Sequence, residues 1–222
     1  MKNLFTTSAI LAAVSAGNAV NAQGMGDFYV SVFGGLSIGE LTADYSYGGG
    51  SLELSLESDT GYILGVAVGT TVAPNIRAEA EVSYASYTIG TISYDVDFGG
   101  GSYSGSYDAD DDTVVTTTYL LANVWYDIPG AAGSGITPYV GGGLGVVFAT
   151  AEVDEEEIID PTNGIAYQAG VGVQVPVGTG MIDAGYRFKG FTGADIESDG
   201  SSLSGDGSGY SNNFQVGYVL KF

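Results

Sequence analysis

Glu79 and Glu81 stand two residues apart, with Arg77 two residues before them. On a strand that spacing puts both carboxylates on one face about 7 Å apart. A carboxylate pair can do acid–base work, but with a guanidinium alongside, an internal salt-bridge cluster is the plainer reading. The other candidates for chemistry are weaker. Asp108, Asp110 and Asp112 have the alternation of a calcium loop, yet Thr113 and Tyr119 stand where an EF-hand needs Gly and Glu. Gly141-Gly142-Gly143-x-Gly145 lies in strand-like sequence with no helix to follow, so it is not a phosphate loop. The chain has no His and no Cys. Catalytic triads and zinc sites built on imidazole or thiolate are excluded, as is a disulfide framework. No catalytic residue, cofactor-binding residue or metal ligand is assigned, and an enzyme is not expected.

The charge balance narrows the partners. There are 26 Asp+Glu against 5 Lys+Arg, a formal net charge of -21. Nucleic acid is therefore not a partner. Disorder is equally unsupported, because 45% of residues are apolar.

The elements that position these residues begin after a leader. Residues 1–22 read as a secretory signal peptide: Lys2, an apolar run over 4–14, then Val20-Asn21-Ala22 as a small-x-small cleavage site. The apolar run falls short of the ~20 residues of a membrane-spanning helix. Residues 23–222 are then one β domain. Eight segments alternate apolar with small or polar residues, over about 27–39, 59–72, 76–90, 113–127, 136–149, 163–176, 181–192 and 210–222. Short connections (at 73–75, 127–135 and 177–180) alternate with long ones (about 40–58, 91–112, 150–162 and 193–209). An even strand count with short turns at one end and long loops at the other is the layout of a transmembrane barrel.

Parity carries the stronger argument. Apart from Lys2, the cations are Arg77, Arg187, Lys189 and Lys221, and all four fall on the polar parity with Glu79, Glu81 and Asp183. The rest of that parity is mostly Gly. A soluble sandwich would show water a face rich in Lys, Thr and Glu; glycines with a few charges of both signs suit the inside of a narrow barrel. Lipid disfavours a midplane Lys or Arg by ~2–4 kcal/mol.

The C-terminal segment Gln215-Val216-Gly217-Tyr218-Val219-Leu220-Lys221-Phe222 resembles the signal read by the outer-membrane barrel assembly machinery, with Gln215, Gly217, Leu220 and Phe222 at the matching positions. Arg77–Tyr84, the run from Thr137 to Gly145 and Ala184-Gly185-Tyr186-Arg187 resemble the small outer-membrane β-barrels, the OmpA/OmpX-like proteins and alphaproteobacterial surface antigens of the porin family. The resemblance implies an all-β, eight-stranded antiparallel up-and-down barrel in a Gram-negative outer membrane. No peptidoglycan-binding domain follows, so a cell-wall tether is not implied.

An eight-stranded lumen is just wide enough for side chains to fill. Arg77, Glu79, Glu81, Asp183, Arg187, Lys189 and Lys221 are expected to form an ion network there, with Gln168, Gln174, Asn123 and Tyr119. The lumenal glycines leave room for a narrow water-filled path. The long connections carry most of the acids and no Lys or Arg. Solubility and mutual repulsion explain them simply; the sharper reading has divalent cations bridging them to each other or to lipopolysaccharide phosphates. Leu52, Leu54 and Leu56 keep the even parity of the second strand, and Ile92, Tyr94, Val96 and Phe98 that of the third, with Gly48–Gly50 and Gly99–Gly101 as turn tips. These hairpins are expected to project as a sheet with an exposed edge, among Tyr45, Tyr47, Tyr103 and Tyr107. The leading function is a surface-exposed structural protein supporting envelope integrity or adhesion through acidic loops. Its partners are outer-membrane lipid, lipopolysaccharide, the assembly machinery and a host or cell-surface ligand. The alternatives are a narrow low-conductance porin and a soluble secreted binding module.

Overall fold

The computed structural model describes residues 27–222 apart from 48, 110–112, 130–134, 154–155 and 198–203. The signal-peptide segment, Asp110 and Asp112 lie outside the described residues. Ten strands follow in order: β1 (Phe28–Tyr47), β2 (Gly50–Ser58), β3 (Gly61–Ala73), β4 (Ile76–Asp97), β5 (Ser102–Asp108), β6 (Thr113–Asp127), β7 (Thr137–Val153), β8 (Glu156–Val177), β9 (Gly180–Glu197) and β10 (Ser204–Lys221). Eight close a ring, β1–β3–β4–β6–β7–β8–β9–β10, sealed by antiparallel pairing of β10 with β1. Closure leaves no free edge in the barrel wall, which a strand in lipid requires.

β2 and β5 are upward continuations of β3 and β6. β2 sits between β1 and the upper part of β4, where β3 sits lower down, and β5 pairs the same upper part of β4. The hairpins expected to project from about 40–58 and 91–112 are strand, as expected, and the long connections at about 150–162 and 193–209 are largely strand as well. The 22 residues of β4 extend about 70 Å at ~3.3 Å per residue. Tilted by about 40°, they far exceed an apolar band about 25 Å tall. The short turns are tight: Pro74-Asn75 turns with Asn75 at φ 62°, and Gly178 takes φ 63° in the turn before β9.

The wall follows the alternation. Even residues of β1, β3, β6, β7 and β10 face out and form a lipid-exposed belt that includes Leu36, Leu64, Val124, Leu144 and Val216. Aromatic rings stand in the belt at Tyr62–Tyr84, Tyr167–Phe188, Phe188–Tyr210 and Tyr186–Phe214, with centroids 5.4–6.4 Å apart.

One expectation about parity is corrected. Leu52, Leu54 and Leu56 are cross-strand partners of Tyr45, Ala43 and Leu41, and so lie on the inward face, not the outward one. Ile92, Tyr94 and Val96 lie on that inward face too. The cause is a pair of extra residues at one level. Gly90 is bulged out between the pairs Glu57–Thr91 and Ser58–Ile89, and Asp59-Thr60 interrupts the neighbouring strand. A single inserted residue exchanges the two faces of everything beyond it.

Candidate functional site

The inside of the barrel is filled in two layers. The layer near the short turns is polar. Glu81 is paired with Lys189, which is fully buried, and both bond the Ser83 hydroxyl. Glu81 also accepts from Asn123 Nδ2 at 2.9 Å and Gln168 Nε2 at 2.8 Å. Glu79 accepts from Tyr29 Oη at 2.9 Å and from Asn123 Nδ2 and Trp125 Nε1 at 3.1 Å each. Arg77 Nε donates to both oxygens of Asp127 at 3.0 and 3.1 Å, and Nη2 lies 2.9 Å from the same carboxylate, off the hydrogen-bonding line. Asp183 accepts from Tyr139 Oη at 2.7 Å and Gln174 Nε2 at 3.0 Å. Arg187 lies 3.9 Å over the Trp125 ring and donates to Tyr139 Oη at 3.0 Å.

Buried charges persist only when paired and hydrogen-bonded, and β4, β6, β8 and β9 supply that pairing from alternate positions of one parity. Six of the seven residues expected in the ion network meet there. Lys221 does not. It has the inward parity, opposite Tyr29, but it is the last residue of β10, exposed at the rim and without an ion pair among the described residues. Sequence reading missed Asp127, Tyr29, Trp125 and Tyr139. Asp127 closes β6 beside the Pro74-Asn75 turn, and its register to Arg77 was the missing signal. Gln168, Gln174, Asn123 and Tyr119 are all buried inside, as expected.

The layer above is mainly apolar, which the alternation did not announce; a buried hydrogen-bonded chain from Tyr87 through Ser37 and Asn213 to Ser211 runs beside it. Tyr119, Leu121, Val147, Ala166 and Phe191 pack as one buried cluster with Leu41, and Ile63, Ala85 and Tyr87 form a second. Ile89 and Val115 complete the stack beneath Leu56 and Ile92. The lumenal glycines leave less room than expected. A Cβ on Gly69 would meet the Tyr29 ring at 2.2 Å, on Gly65 the Phe33 ring at 2.2 Å, and on Gly141 the Trp125 ring at 2.5 Å. Glycine on one strand makes space for a ring from the next, and the rings take that space.

No protein-family model and no curated protein matches the chain. Solved structures do. The Neisserial surface protein A structure aligns with a TM-score of 0.51 at 18% identity, covering 88% of this chain and 97% of that one. The Escherichia coli outer-membrane protease OmpT aligns with a TM-score of 0.51 at 8% identity, covering 92% and 99%. The chain has the fold of a small outer-membrane β-barrel. With its apolar belt, that fold locates the barrel in a bacterial outer membrane, as for these neighbours. Identities this low carry the architecture alone, and neither neighbour's activity transfers with it.

Above the bilayer the barrel projects a sheet with two different faces. On one lie Leu52, Leu54, Tyr94, Val96, Tyr103 and Tyr107, continuous with the apolar plug. The other carries only Ser, Thr, Asp and Glu along β2, β5 and the upper part of β4. One row crosses four strands in register: Asp206, Asp44, Glu53 and Asp95. Strands are ~4.8 Å apart and like charges opposite one another are destabilising, so this face favours any cationic neighbour.

Proposed function

We propose that this barrel is a non-enzymatic, surface-exposed structural protein. It supports the envelope and makes contacts through its projecting acidic sheet; it is not an open pore. The observation that carries the reading is the double plug: the Glu81–Lys189 network below and the cluster around Val147 and Phe191 above it, both buried. An ion crossing the lumen must part a buried charge pair and then pass a packed, mainly apolar layer whose Ser37, Tyr87, Asn213 and Ser211 side chains are already bonded to one another. Every lumenal carboxylate among the described residues is engaged by a cation, a phenol, an indole or an amide, which leaves none poised as a free base.

Gln215, Gly217, Leu220 and Phe222 serve as the assembly signal in this reading, and lipid and lipopolysaccharide surround the belt. The test is planar-bilayer recording on refolded protein. Silence is expected from the parent barrel. Stable openings that vary with substitutions at Glu81 or Phe191 would replace this reading with that of a narrow porin.

A further inference from the structure

The projecting sheet ends in an unfinished edge. β5 pairs β4 along its whole length, Asp97–Ser102 through Thr91–Asp108, and among the described residues has no partner on its other side. Proteins protect such edges with Lys, Pro, a bulge or a covering segment. β5 reads Ser-Tyr-Ser-Gly-Ser-Tyr-Asp, with no Lys, no Pro and no register shift. Tyr103 and Tyr107, 63% and 56% exposed, stand on its apolar face; Ser102, Ser104, Ser106 and Asp108 stand on the acidic one.

We infer that β5 accepts an added strand from a partner whose residues alternate cationic and apolar. This rests on the contact role proposed above and names the chemistry of the partner. Main-chain bonds along the free edge supply a generic attraction; the two faces supply the selectivity. Residues on the Tyr103 and Tyr107 side continue an apolar face. Residues opposite Ser104 extend the row that ends at Glu53 and Asp95, where a Lys or Arg offsets carboxylates that have no cation of their own. A second copy of this chain is disfavoured at the same edge, because its β5 would bring a further acidic face against this one.

The probe is a fluorescent eight-residue peptide alternating lysine and valine, added to the refolded barrel in neutral lipid vesicles. Saturable binding is expected, weakening as salt rises, since exposed charges are screened within about 10 Å at 0.1 M. A peptide of the same composition in two blocks, Lys first and Val after, and one alternating Glu and Val are expected to bind about tenfold more weakly or worse. Ser104→Pro, which disrupts the edge, and the exposed pair Glu53→Lys with Asp95→Lys are each expected to cost about tenfold as well. Should Ser104→Pro unravel β5, Ser104→Lys keeps the backbone and places a repelling cation at the same point. Equal binding of the block peptide, equal binding of the acidic peptide, or indifference to Ser104→Lys overturns the inference, as does dimerisation of the barrel in preference to capture. A barrel that conducts and still captures the alternating peptide sinks the closed-lumen reading and leaves this one standing.

Discussion

The Arg187 guanidinium lies 3.9 Å over the ring of Trp125, the one tryptophan in the chain, whose indole N–H donates to Glu79. Among the described residues, Arg187 has no carboxylate in an ion pair and its Nη1 has no acceptor. The stacked indole, with Tyr139 5.1 Å away, provides the electrostatic contact that offsets its burial. This places Trp125 inside the barrel while its chain neighbour Val124 faces lipid, 57% exposed. Brominated lipids are therefore expected to quench Trp125 weakly. They should quench strongly a tryptophan moved to position 124 in a Trp125→Phe background. Equal quenching at both positions would contradict the inward parity. Arg187→Met is expected to cost about 1–2 kcal/mol in urea unfolding from vesicles.

Glu81 and Lys189 are a buried pair whose members depend on one another. Removing one partner leaves an uncompensated charge, so Glu81→Gln is expected to cost about 3–5 kcal/mol. The double variant Glu81→Gln with Lys189→Met removes both charges and is expected to recover a large part of that loss. Denaturant midpoints of the two single variants and the double close the cycle. Simple additivity would mean that the pair does not act as a unit.

The wall is tight at Gly145 and open at the hairpin tip. A Cβ on Gly145 would lie 1.9 Å from the Leu120 carbonyl oxygen and 2.9 Å from Leu121 Cα, so the backbone must move. Gly145→Ala is expected to lose about 1–3 kcal/mol. Gly100 has nothing within 4 Å of that position, and Gly100→Ala should stay within about 0.5 kcal/mol of the parent. The same unfolding assay reads both.

On the projecting sheet, the hydrogen bond between Tyr94 and Tyr103 raises the Tyr94 phenol above its ordinary value of 10.0. The folded sheet thus favours the protonated phenol. That contribution is fully present below the ordinary value and is lost as pH rises through the raised one. The absorbance difference at about 295 nm between parent and Tyr94→Phe tracks the phenolate, and its midpoint is expected above the free tyrosine value. In a Tyr103→Phe background the midpoint should fall back toward that value.

Local alternation along the chain settles which side chains meet lipid and which meet one another. Leu64, Val124, Leu144 and Val216 share a parity opposite to Arg77, Glu79, Glu81 and Lys189, and a sheet has two faces. Strand number, closure and the inward charges followed from that local period. Partner choice within the lumen did not, because Glu81 meets Lys189 across 108 residues of chain, and that distance is bridged by the stagger of strands around the ring. Nor did the fate of the odd-parity apolar residues Ile63, Leu121, Val147 and Phe191, which become a plug only when opposite walls close over them. The faces of Leu52, Leu54 and Leu56 were decided by tertiary structure as well. One bulged residue at Gly90 and one break at Asp59-Thr60 shift the register where the wall leaves the membrane, and a period of two retains no record of such a shift.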